Sequence, residues 1–328
     1  MTGPQVPGVA RVDVGPVEAH EWDAAARAYT AALPHDPVSG AELRRRDEEQ
    51  RGWGYHAGVL VARQGDEVLG TAAYFQNPGA YHPGRFILEL GVAPVWQGQG
   101  VGRALCVALE ARLRGLGAES ARLLARDEHP VAPGFLTRRG FVGDKRYFFS
   151  VLDVATFDGA PYAGLAERLA AQGVRLHSLT ALRAANEPDL EARLHALMSD
   201  VRQDVPRAEP ATPLSLAVFQ EAVLGDPSLL PDGYLVAEHG GAFIGQTTLF
   251  RSEASPDLLT GLTGVTRAWR GRGVATLLKL EAIRVAQALG APLIRTDNAS
   301  DNAPMLAIND RLGFVREGGA TTSYLYRF

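Results

Sequence analysis

Residues 91–102 read GVAPVWQGQGVG, and residues 264–275 read GVTRAWRGRGVA. The second stretch repeats the first at an offset of 173 residues (264 minus 91), and the same offset aligns Gly140 with Gly313. Self-similarity at one long, fixed period indicates that the chain contains two copies of one structural unit. The best-kept part of the repeat is a glycine-rich loop.

The length of the chain agrees with the repeat. A chain of 328 residues predicts two domains of about 150 residues each. Gly159 and Pro161 interrupt the sequence between the copies, which favours a linker there. We therefore expect a first domain over residues 1–155, a linker over 156–173 and a second domain over 174–328.

The composition is that of an ordinary globular protein, with 46% hydrophobic and 21% charged residues. The net charge of −4 offers no electrostatic footprint for nucleic acid or an anionic membrane. A single cysteine, Cys106, excludes an intrachain disulfide and is interpreted as a small packed residue. The sequence shows neither a secretory leader nor an apolar run of about 18 residues, so a cytoplasmic protein without a membrane span is expected.

Hydrophobic periodicity predicts a similar order of elements in both copies. In the first copy we expect strands over residues 9–14, 57–63, 68–76, 85–92, 121–125 and 147–154, and helices over 18–33, 39–50, 100–116 and 133–139. In the second copy we expect strands over 174–179, 234–238, 242–250, 258–265, 293–296 and 322–328, and helices over 187–199, 213–224, 273–289 and 303–312. Strands mixed with helices in this way indicate an α/β fold, with a mixed central sheet flanked by helices in each domain.

The repeated loop joins an apolar strand to a helix, which is a physical device for holding an anion. Its glycines, which allow backbone N–H groups to point into one cavity, are Gly98, Gly100, Gly102, Gly271 and Gly273. The helix adds free N–H groups and the positive end of its dipole. Arg270 and Arg272 add positive charge in the second copy, whereas Gln97 and Gln99 offer neutral donors in the first. The expected ligand is a pyrophosphate.

Two other phosphate-binding loops do not fit the spacing. The dinucleotide fingerprint G-x-G-x-x-G needs a glycine in its sixth position, where this chain has Arg103 in the first copy and Thr276 in the second. A Walker loop ends in Gly-Lys-Ser/Thr, and no Gly-Lys pair occurs in this chain. A dehydrogenase and a nucleotide-dependent kinase are therefore not favoured.

The pattern that does fit is Gln/Arg-x-x-Gly-x-Gly/Ala, over residues 97–102 and again over 270–275. Each copy also carries Arg-x-Gly-Phe downstream, at residues 138–141 and 311–314. These features resemble the acyl-CoA pyrophosphate loop of the GCN5-related N-acetyltransferases (GNAT), and the resemblance covers nearly the whole chain as two copies. In its tandem architecture the chain resembles mycothiol synthase-like enzymes, which implies two GNAT-type domains.

The resemblance implies acetyl-CoA as the cofactor, lying between two splayed parallel strands, and no metal. The pantetheine arm is then expected on the main chain at the end of the fourth strand, at Leu90 and Val92 in the first copy and at Thr263 and Val265 in the second. The other residues implied in cofactor binding are Gln97, Gly98, Gln99, Gly100, Val101, Gly102, Arg103, Arg270, Gly271, Arg272, Gly273, Val274, Ala275, Thr276, Asn298 and Asn302.

The implied chemistry requires a base. A free alkyl amine has a pKa of roughly 10 and must lose a proton before it attacks a thioester. Glu89 lies inside an apolar strand, where a carboxylate is costly unless it is paired or functional, and the resemblance implies that a carboxylate on this strand serves as the base. A structural hydrogen-bond acceptor is the alternative for Glu89. Asp297 is the candidate in the second copy, which has Leu262 in place of Glu89.

The proton donor that the family uses is missing from its usual position. The resemblance places a tyrosine four residues before the glycine of Gly-Phe, where this chain has Leu136 in the first copy and Asn309 in the second. Asn309 is therefore the candidate catalytic residue at that position. Tyr147, Tyr324 and Tyr326 on the late strands are substitutes, with core packing as their alternative role. A thiol leaving group has a pKa near 8.5, so an acid helps without being essential.

The expected function is transfer of an acetyl group from acetyl-CoA to the primary amine of a small molecule or peptide, by direct attack on the thioester. The alternatives are a non-catalytic acyl-CoA-binding or regulatory module, and one active domain beside one scaffold domain. We expect residues 35–50 and 200–213 to shape the acceptor site. No nucleic-acid or membrane partner is expected, and the chain is either a monomer that acts as a pseudo-dimer or a homodimer.

Overall fold

The computed structural model describes residues 12–328, which form two compact units. The first unit runs to Asp144 and includes Thr322–Phe328, and the second unit is Lys145–Thr321. The C-terminal residues thus belong to the first unit, although they follow the second copy in sequence. Both units combine a mixed sheet with flanking helices, which confirms the α/β class. The boundaries of the two sequence copies stay a prediction.

The first part of the chain contains β1 (Asp13–Pro16), α1 (Trp22–Ala32), α2 (Gly40–Gly52), β2 (Ala57–Gln64), β3 (Glu67–Phe75), β4 (Arg85–Val92), α3 (Val101–Gly115), β5 (Ser120–Arg126) and α4 (Ala132–Thr137). It continues with β6 (Val142–Asp153), α5 (Leu165–Ala171), β7 (Val174–Ser178), α6 (Leu179–Ala184), α7 (Leu190–Arg202) and α8 (Leu216–Phe219). The last part contains β8 (Leu235–His239), β9 (Ala242–Thr247), β10 (Leu249–Arg251), β11 (Leu258–Thr260), β12 (Gly264–Val265), α9 (Val274–Ala288), β13 (Leu293–Ala299), α10 (Ala303–Leu312), β14 (Val315–Arg316) and β15 (Thr321–Arg327).

The sheet of the first unit has the strand order β1-β2-β3-β4-β5-β15. Strands β1 to β4 are antiparallel neighbours, whereas β4 and β5 are parallel. Tyr29 of α1 packs in one cluster with Val61 of β2. Leu105 of α3 packs in another cluster with Leu88 of β4. Helices therefore cover the sheet of the first unit through two separate cores.

Local sequence explains where two of these helices lie. The Glu42 N–H donates to the Ser39 hydroxyl, and the Ser39 N–H donates to the Glu42 carboxylate, so a capping box begins α2. In α3 the buried residues recur every four positions and form one apolar stripe. They are Val101, Leu105, Leu109 and Leu113.

The second unit contains two sheets. Strands β7, β8, β9 and β12 form an antiparallel sheet. Strands β10, β11, β13 and β6 form the other, in which β11 and β13 are parallel and β14 adds to β6. Leu278 of α9 packs in one core cluster with Leu235 of β8 and Ile294 of β13. The helix that follows the second loop is therefore buried among strands, as α3 is in the first unit.

Most of the expected elements are present, and the differences are local. The strand expected over 258–265 is broken into β11 and β12 at Gly261, where a Cβ atom would clash with Thr248 and Phe250. The helix expected over 213–224 is α8 followed by a π-helical turn. The first strand, expected over 9–14, begins at Asp13, and its first three expected positions lie outside the described residues. Helices α5 and α6 and strand β14 were not expected.

Across residues 12–328, no helix is both long and apolar enough to cross a bilayer. In the same range, no three His, Cys, Asp or Glu side chains are grouped as metal ligands would be. Cys106 on α3 is half-buried, and desolvation raises the pKa of its thiol to about 11, so the thiol stays protonated at neutral pH.

Candidate functional site

In the first unit, β4 leaves its parallel neighbour β5 before its own end. The pairing of the two strands stops at Leu88 and Leu123, whereas β3 follows β4 as far as Val92. Beyond Leu88 the parallel strands therefore separate, and the main chain of β4 lines the opening. Leu90 and Val92, which were expected to hold the pantetheine arm, lie on this stretch.

The loop after β4 ends in a helix N-terminus without a side-chain cap. Gly100 is the N-cap of α3 and has a φ of 89°, a left-handed conformation that favours glycine. The Ala104 amide donates to the Gly100 carbonyl, so the amides of Val101, Gly102 and Arg103 have no partner within the helix. The first turn contains no acidic residue, which leaves the positive end of the helix dipole available to an anion.

The side chains of the two glutamines in the first loop donate hydrogen bonds to nearby main-chain carbonyls. Gln97 Nε2 donates to the Val92 carbonyl at 3.0 Å and closes the loop onto the end of β4. Gln99 Nε2 donates to the Val95 carbonyl at 2.8 Å. Since both side-chain amides are engaged with main chain, the ability of this loop to bind an anion rests on its backbone amides and on the exposed Arg103.

In the second unit, an irregular segment of residues 261–263 interrupts the strand that leads to the loop. β11 pairs with β13 at Leu258 and Leu259, and β12 then pairs with β9 instead. Thr263 lies in this segment, and its hydroxyl shares a hydrogen bond with the Thr247 hydroxyl at 2.7 Å. Val265 lies in β12. The parallel strands β11 and β13 therefore separate before the loop, as β4 and β5 do.

The second loop has the same backbone conformation as the first. Gly273 is the N-cap of α9 with a φ of 94°, and Gly271 has a φ of 73°, close to the 74° of Gly98. The Leu277 amide donates to the Gly273 carbonyl. The amides that consequently lack a partner within the helix are those of Val274, Ala275 and Thr276.

Arg270 of the second loop is engaged with protein groups. Its Nε donates to the Val265 carbonyl at 3.0 Å, as the corresponding glutamine does in the first unit. Its guanidinium also pairs with Asp204 at 2.6 Å. Hydrogen bonds from Arg267 and Arg270 hold the pKa of the Asp204 carboxyl well below its usual range. The charge of Arg270 is therefore shared with a carboxylate that nothing in the sequence pattern indicated.

Glu89 lies on the same face of β4 as α1. A Cβ on Gly91, two residues further along the strand, would lie 3.1 Å from the Tyr29 Cα, and residues two apart on a strand share a face. The Tyr29 hydroxyl donates to Asp36 at 2.8 Å. Desolvation raises the pKa of the Glu89 carboxyl, an effect that Arg46 opposes and Asp36 reinforces. A carboxyl with a raised pKa is suited to accept a proton near neutral pH.

The residues that act on Glu89 could not be identified from the sequence. Tyr29 lies among the buried residues of α1, where periodicity explains it as packing. Asp36 and Arg46 belong to the stretch expected to shape the acceptor site, but no spacing relates them to β4. Their relation to Glu89 appears only in the tertiary structure.

In the second unit, the candidate residues gather where β13 ends and α10 begins. Asn309 is buried and its Nδ2 donates to Asn298 Oδ1 at 2.7 Å. Within the described chain, Asn309 Oδ1 is buried without a hydrogen-bond partner, and the Asn302 side chain makes no capping bond at the start of α10. Asp297 is exposed, yet the surrounding protein desolvates its carboxyl and raises its pKa. The structure thus brings Asn298 and Asn309 into contact, with Asp297 beside them in sequence.

The three substitute tyrosines fall in different surroundings. Tyr147 belongs to the second unit, where it pairs with Ala299 of β13. Its hydroxyl accepts a hydrogen bond from the Ala208 N–H at 3.3 Å. Tyr324 and Tyr326 pack in the core of the first unit. Tyr147 is therefore the substitute that lies on the strand next to the candidate residues of β13.

Known proteins resemble this chain over most of its length. The mycothiol acetyltransferase of Amycolatopsis mediterranei (strain U-32) is 27% identical over 267 residues, which cover 78% of this chain and 80% of that protein. A tandem GNAT protein from the clavulanic acid biosynthesis pathway superposes with a TM-score of 0.70 at 20% identity, covering 97% of this chain and 98% of that one. A GCN5-related N-acetyltransferase from Sphaerobacter thermophilus superposes with a TM-score of 0.71 at 16% identity, covering 98% and 97%. The two solved structures share the fold.

The family is shown by two separate matches within the chain. Residues 22–141 and residues 194–314 each match the model of the acetyltransferase (GNAT) family. Together they cover well over half of the chain, and each contains one glycine loop and one Gly-Phe pair. The chain therefore belongs to the acetyltransferase (GNAT) family, as an acyltransferase with two tandem GNAT-type regions.

Proposed function

We propose that this acyltransferase moves an acetyl group from acetyl-CoA to the primary amine of a small molecule or peptide, with Glu89 as the base. The observation that carries the proposal is the place of Glu89, a desolvated carboxyl on the stretch of β4 that has separated from β5. The second unit has Leu262 at the matching position. The first unit is therefore the proposed catalytic unit.

The residues of the first unit fit acetyl-CoA, which supplies an activated acetyl thioester when it is bound. The amides of Val101, Gly102 and Arg103 lie at the positive end of α3, a setting that suits a pyrophosphate. The main chain of Leu90 and Val92 lies where β5 has left β4, so it suits the amide groups of a pantetheine arm.

The proton chemistry is assigned to residues of the first unit. A free alkylammonium group has a pKa of roughly 10. Desolvation raises the pKa of Glu89 and so reduces the difference between the pKa of the amine and that of the carboxyl. Tyr29 stays protonated, because desolvation, Glu89 and Asp36 all raise the pKa of its hydroxyl. Leu136 is buried at the position of the usual acid, so the CoA sulfur leaves as a thiolate without a proton donor from this position.

The decisive experiment compares Glu89→Gln with Glu110→Gln. Glu110 is an exposed carboxylate of α3 that pairs with Arg114, and its variant controls for the lost charge. With a panel of amines, Glu89→Gln is expected to lower kcat/KM by about 10²- to 10⁴-fold, the range typical of a lost general base. Its affinity for acetyl-CoA, measured by isothermal titration, is expected to stay unchanged.

The pH dependence gives a second readout of the same base. Since Glu89 acts in its ionised form and its pKa is raised, kcat/KM is expected to rise with pH through an apparent pKa above that of an ordinary carboxyl, and Glu89→Gln is expected to lose this limb. Full activity in Glu89→Gln together with loss in Asp297→Asn would place catalysis in the second unit. A folded wild type that binds acetyl-CoA but acetylates no amine of the panel would favour a binding module.

A further inference from the structure

The cations of the second loop are placed differently from that of the first loop. Arg103 is exposed in the first turn of α3, but the matching residue of α9 is Thr276. Arg270 is paired with Asp204. Arg272 lies over the ring of the neighbouring tryptophan, 4.8 Å from its centre. Arg270 is therefore paired with a carboxylate, whereas the exposed Arg272 is held over a ring of the same loop.

Helix α5, from the segment expected to be a linker, packs on this loop. Leu165 and Leu169 bury one side of α5 in the core of the second unit. A Cβ on Gly273 would lie 3.1 Å from Leu165 Cδ1 and 3.6 Å from Nη2 of Arg168. Arg168 is exposed, and within residues 12–328 its guanidinium has no ion-pair partner. Since residues three apart share a helix face, the packing of Leu165 on Gly273 also brings Arg168 to the loop.

We propose that Arg168 is a phosphate ligand of the second loop, supplied by α5 in place of an arginine of the motif. The inference rests on the proposed function, because it takes the pyrophosphate of acyl-CoA as the ligand of the loop. A guanidinium pairs with phosphate oxygens in two parallel hydrogen bonds. The loop amides at the N-terminus of α9 supply the remaining donors. The segment between the two copies is thus part of the binding site of the second unit.

The test measures binding at the second loop alone. The Gly100→Glu variant serves as the parent protein. It removes binding at the first loop, because a carboxylate at the N-cap of α3 repels a pyrophosphate. Acetyl-CoA and acetyl-pantetheine, which lacks the phosphates, are titrated into this parent and into its Arg168→Ala, Arg168→Lys and Arg284→Ala derivatives. Arg284 is an exposed arginine near the other end of α9 that pairs with Glu281, so its variant matches the lost charge.

We expect Arg168→Ala to weaken acetyl-CoA binding about tenfold, with Arg168→Lys in between and Arg284→Ala unchanged. Binding of acetyl-pantetheine is expected to be the same in all four proteins. Equal weakening of both ligands would overturn the proposal in favour of packing, and unchanged binding of acetyl-CoA would overturn it directly. A parent that binds no acetyl-CoA would also overturn it, by showing that α5 closes the second loop. The proposed function is tested separately by the acetyl-transfer assay on the wild type, whose outcome does not depend on these binding measurements.

Discussion

Glu89, the proposed base, is also expected to affect stability. Desolvation raises its pKa in the folded state, so the fold is favoured when this carboxyl is protonated. By linkage, that contribution is fully present below the unfolded pKa of roughly 4.3 and is lost as pH rises through the raised folded pKa. Above the raised folded pKa, the ionised carboxyl therefore destabilises the fold.

Removal of this charge is expected to stabilise the protein. Glu89→Gln should unfold at a higher temperature than the wild type at pH 7.5, and the difference should shrink as pH falls toward 4. Calorimetry over this pH range checks the prediction, with Glu110→Gln as the control that shows no such trend. A Glu89→Gln variant that is less stable at pH 7.5 would instead identify Glu89 as a paired structural acceptor.

Lys279 is a buried charged group of the second unit, at the position that aligns with Cys106, and its ionisation is also expected to affect stability. It is buried, and desolvation lowers the pKa of its ammonium group to about 8. The group lies 5.0 Å from the centre of the Phe314 ring. Because the unfolded chain binds more protons than the folded one between this value and about 10.4, stability from this group rises with pH across that window and is lost as pH falls through the folded pKa.

Replacement of Lys279 by an apolar side chain of similar length is expected to stabilise the protein. Lys279→Met should raise the free energy of unfolding by roughly 2–3 kcal/mol at pH 7, with the gain vanishing near pH 10.5. Urea denaturation at both pH values measures it. An equal gain at the two pH values would attribute the effect to packing and not to the buried charge.

At the scale of the elements, the two glycines of the second loop differ in what restricts them. Gly271 and Gly273 have φ angles of 73° and 94°, where a side chain is strained. A Cβ on Gly271 meets no atom within 4 Å, whereas one on Gly273 would lie 3.1 Å from Leu165. Conformation alone restricts Gly271, while conformation and the packing of α5 both restrict Gly273.

This difference predicts unequal costs of substitution by alanine. Gly271→Ala is expected to lower the free energy of unfolding by about 1–2 kcal/mol, and Gly273→Ala by roughly 1 kcal/mol more, because Leu165 must move. Denaturant unfolding of both variants measures the costs. Leu165→Ala in the Gly273→Ala background should remove the excess; equal costs in the two single variants would show that the contact of α5 with the loop has little weight.

Elements that depend on local sequence could be predicted, and those that depend on distant contacts could not. The strand–loop–helix around Gly100 and Gly273 was predicted, because glycine spacing and apolar periodicity are local signals. The break at Gly261 was not, since it occurs where the chain passes Thr248 and Phe250. The same division applies to the site. The loop residues were indicated by their pattern, but the packing of Tyr29 against β4 at Gly91 joins residues far apart in sequence.

At the scale of the whole molecule, two loops of one backbone conformation predict two cofactor sites. Isothermal titration of the wild type with acetyl-CoA is expected to give two sites per chain, and Gly100→Glu and Gly273→Glu are each expected to remove one. Thermal unfolding of each variant shows whether the fold is kept. One site in the wild type, lost with a single variant, would assign the other unit a scaffold role.

The first unit also depends on the last residues of the chain. The Phe328 amide donates to the Glu119 carbonyl, and Tyr326 packs on Phe141 with ring centres 5.1 Å apart. Deletion of residues 322–328 is therefore expected to raise amide hydrogen exchange in β5 by at least about 100-fold. Exchange in β8 of the second unit serves as the reference, and unchanged exchange in β5 would contradict the assignment of β15 to this sheet.

The pairing of β5 with β15 delays completion of the first sheet during synthesis of the protein. On the ribosome, β5 is synthesised about 200 residues before β15, which at 5–20 residues per second is a delay of roughly 10–40 s. Throughout this time the nascent chain carries an open strand edge, the kind of surface on which chains aggregate. Translation speed and chaperone supply should therefore govern the yield of this protein more than that of a tandem protein whose halves close one after the other.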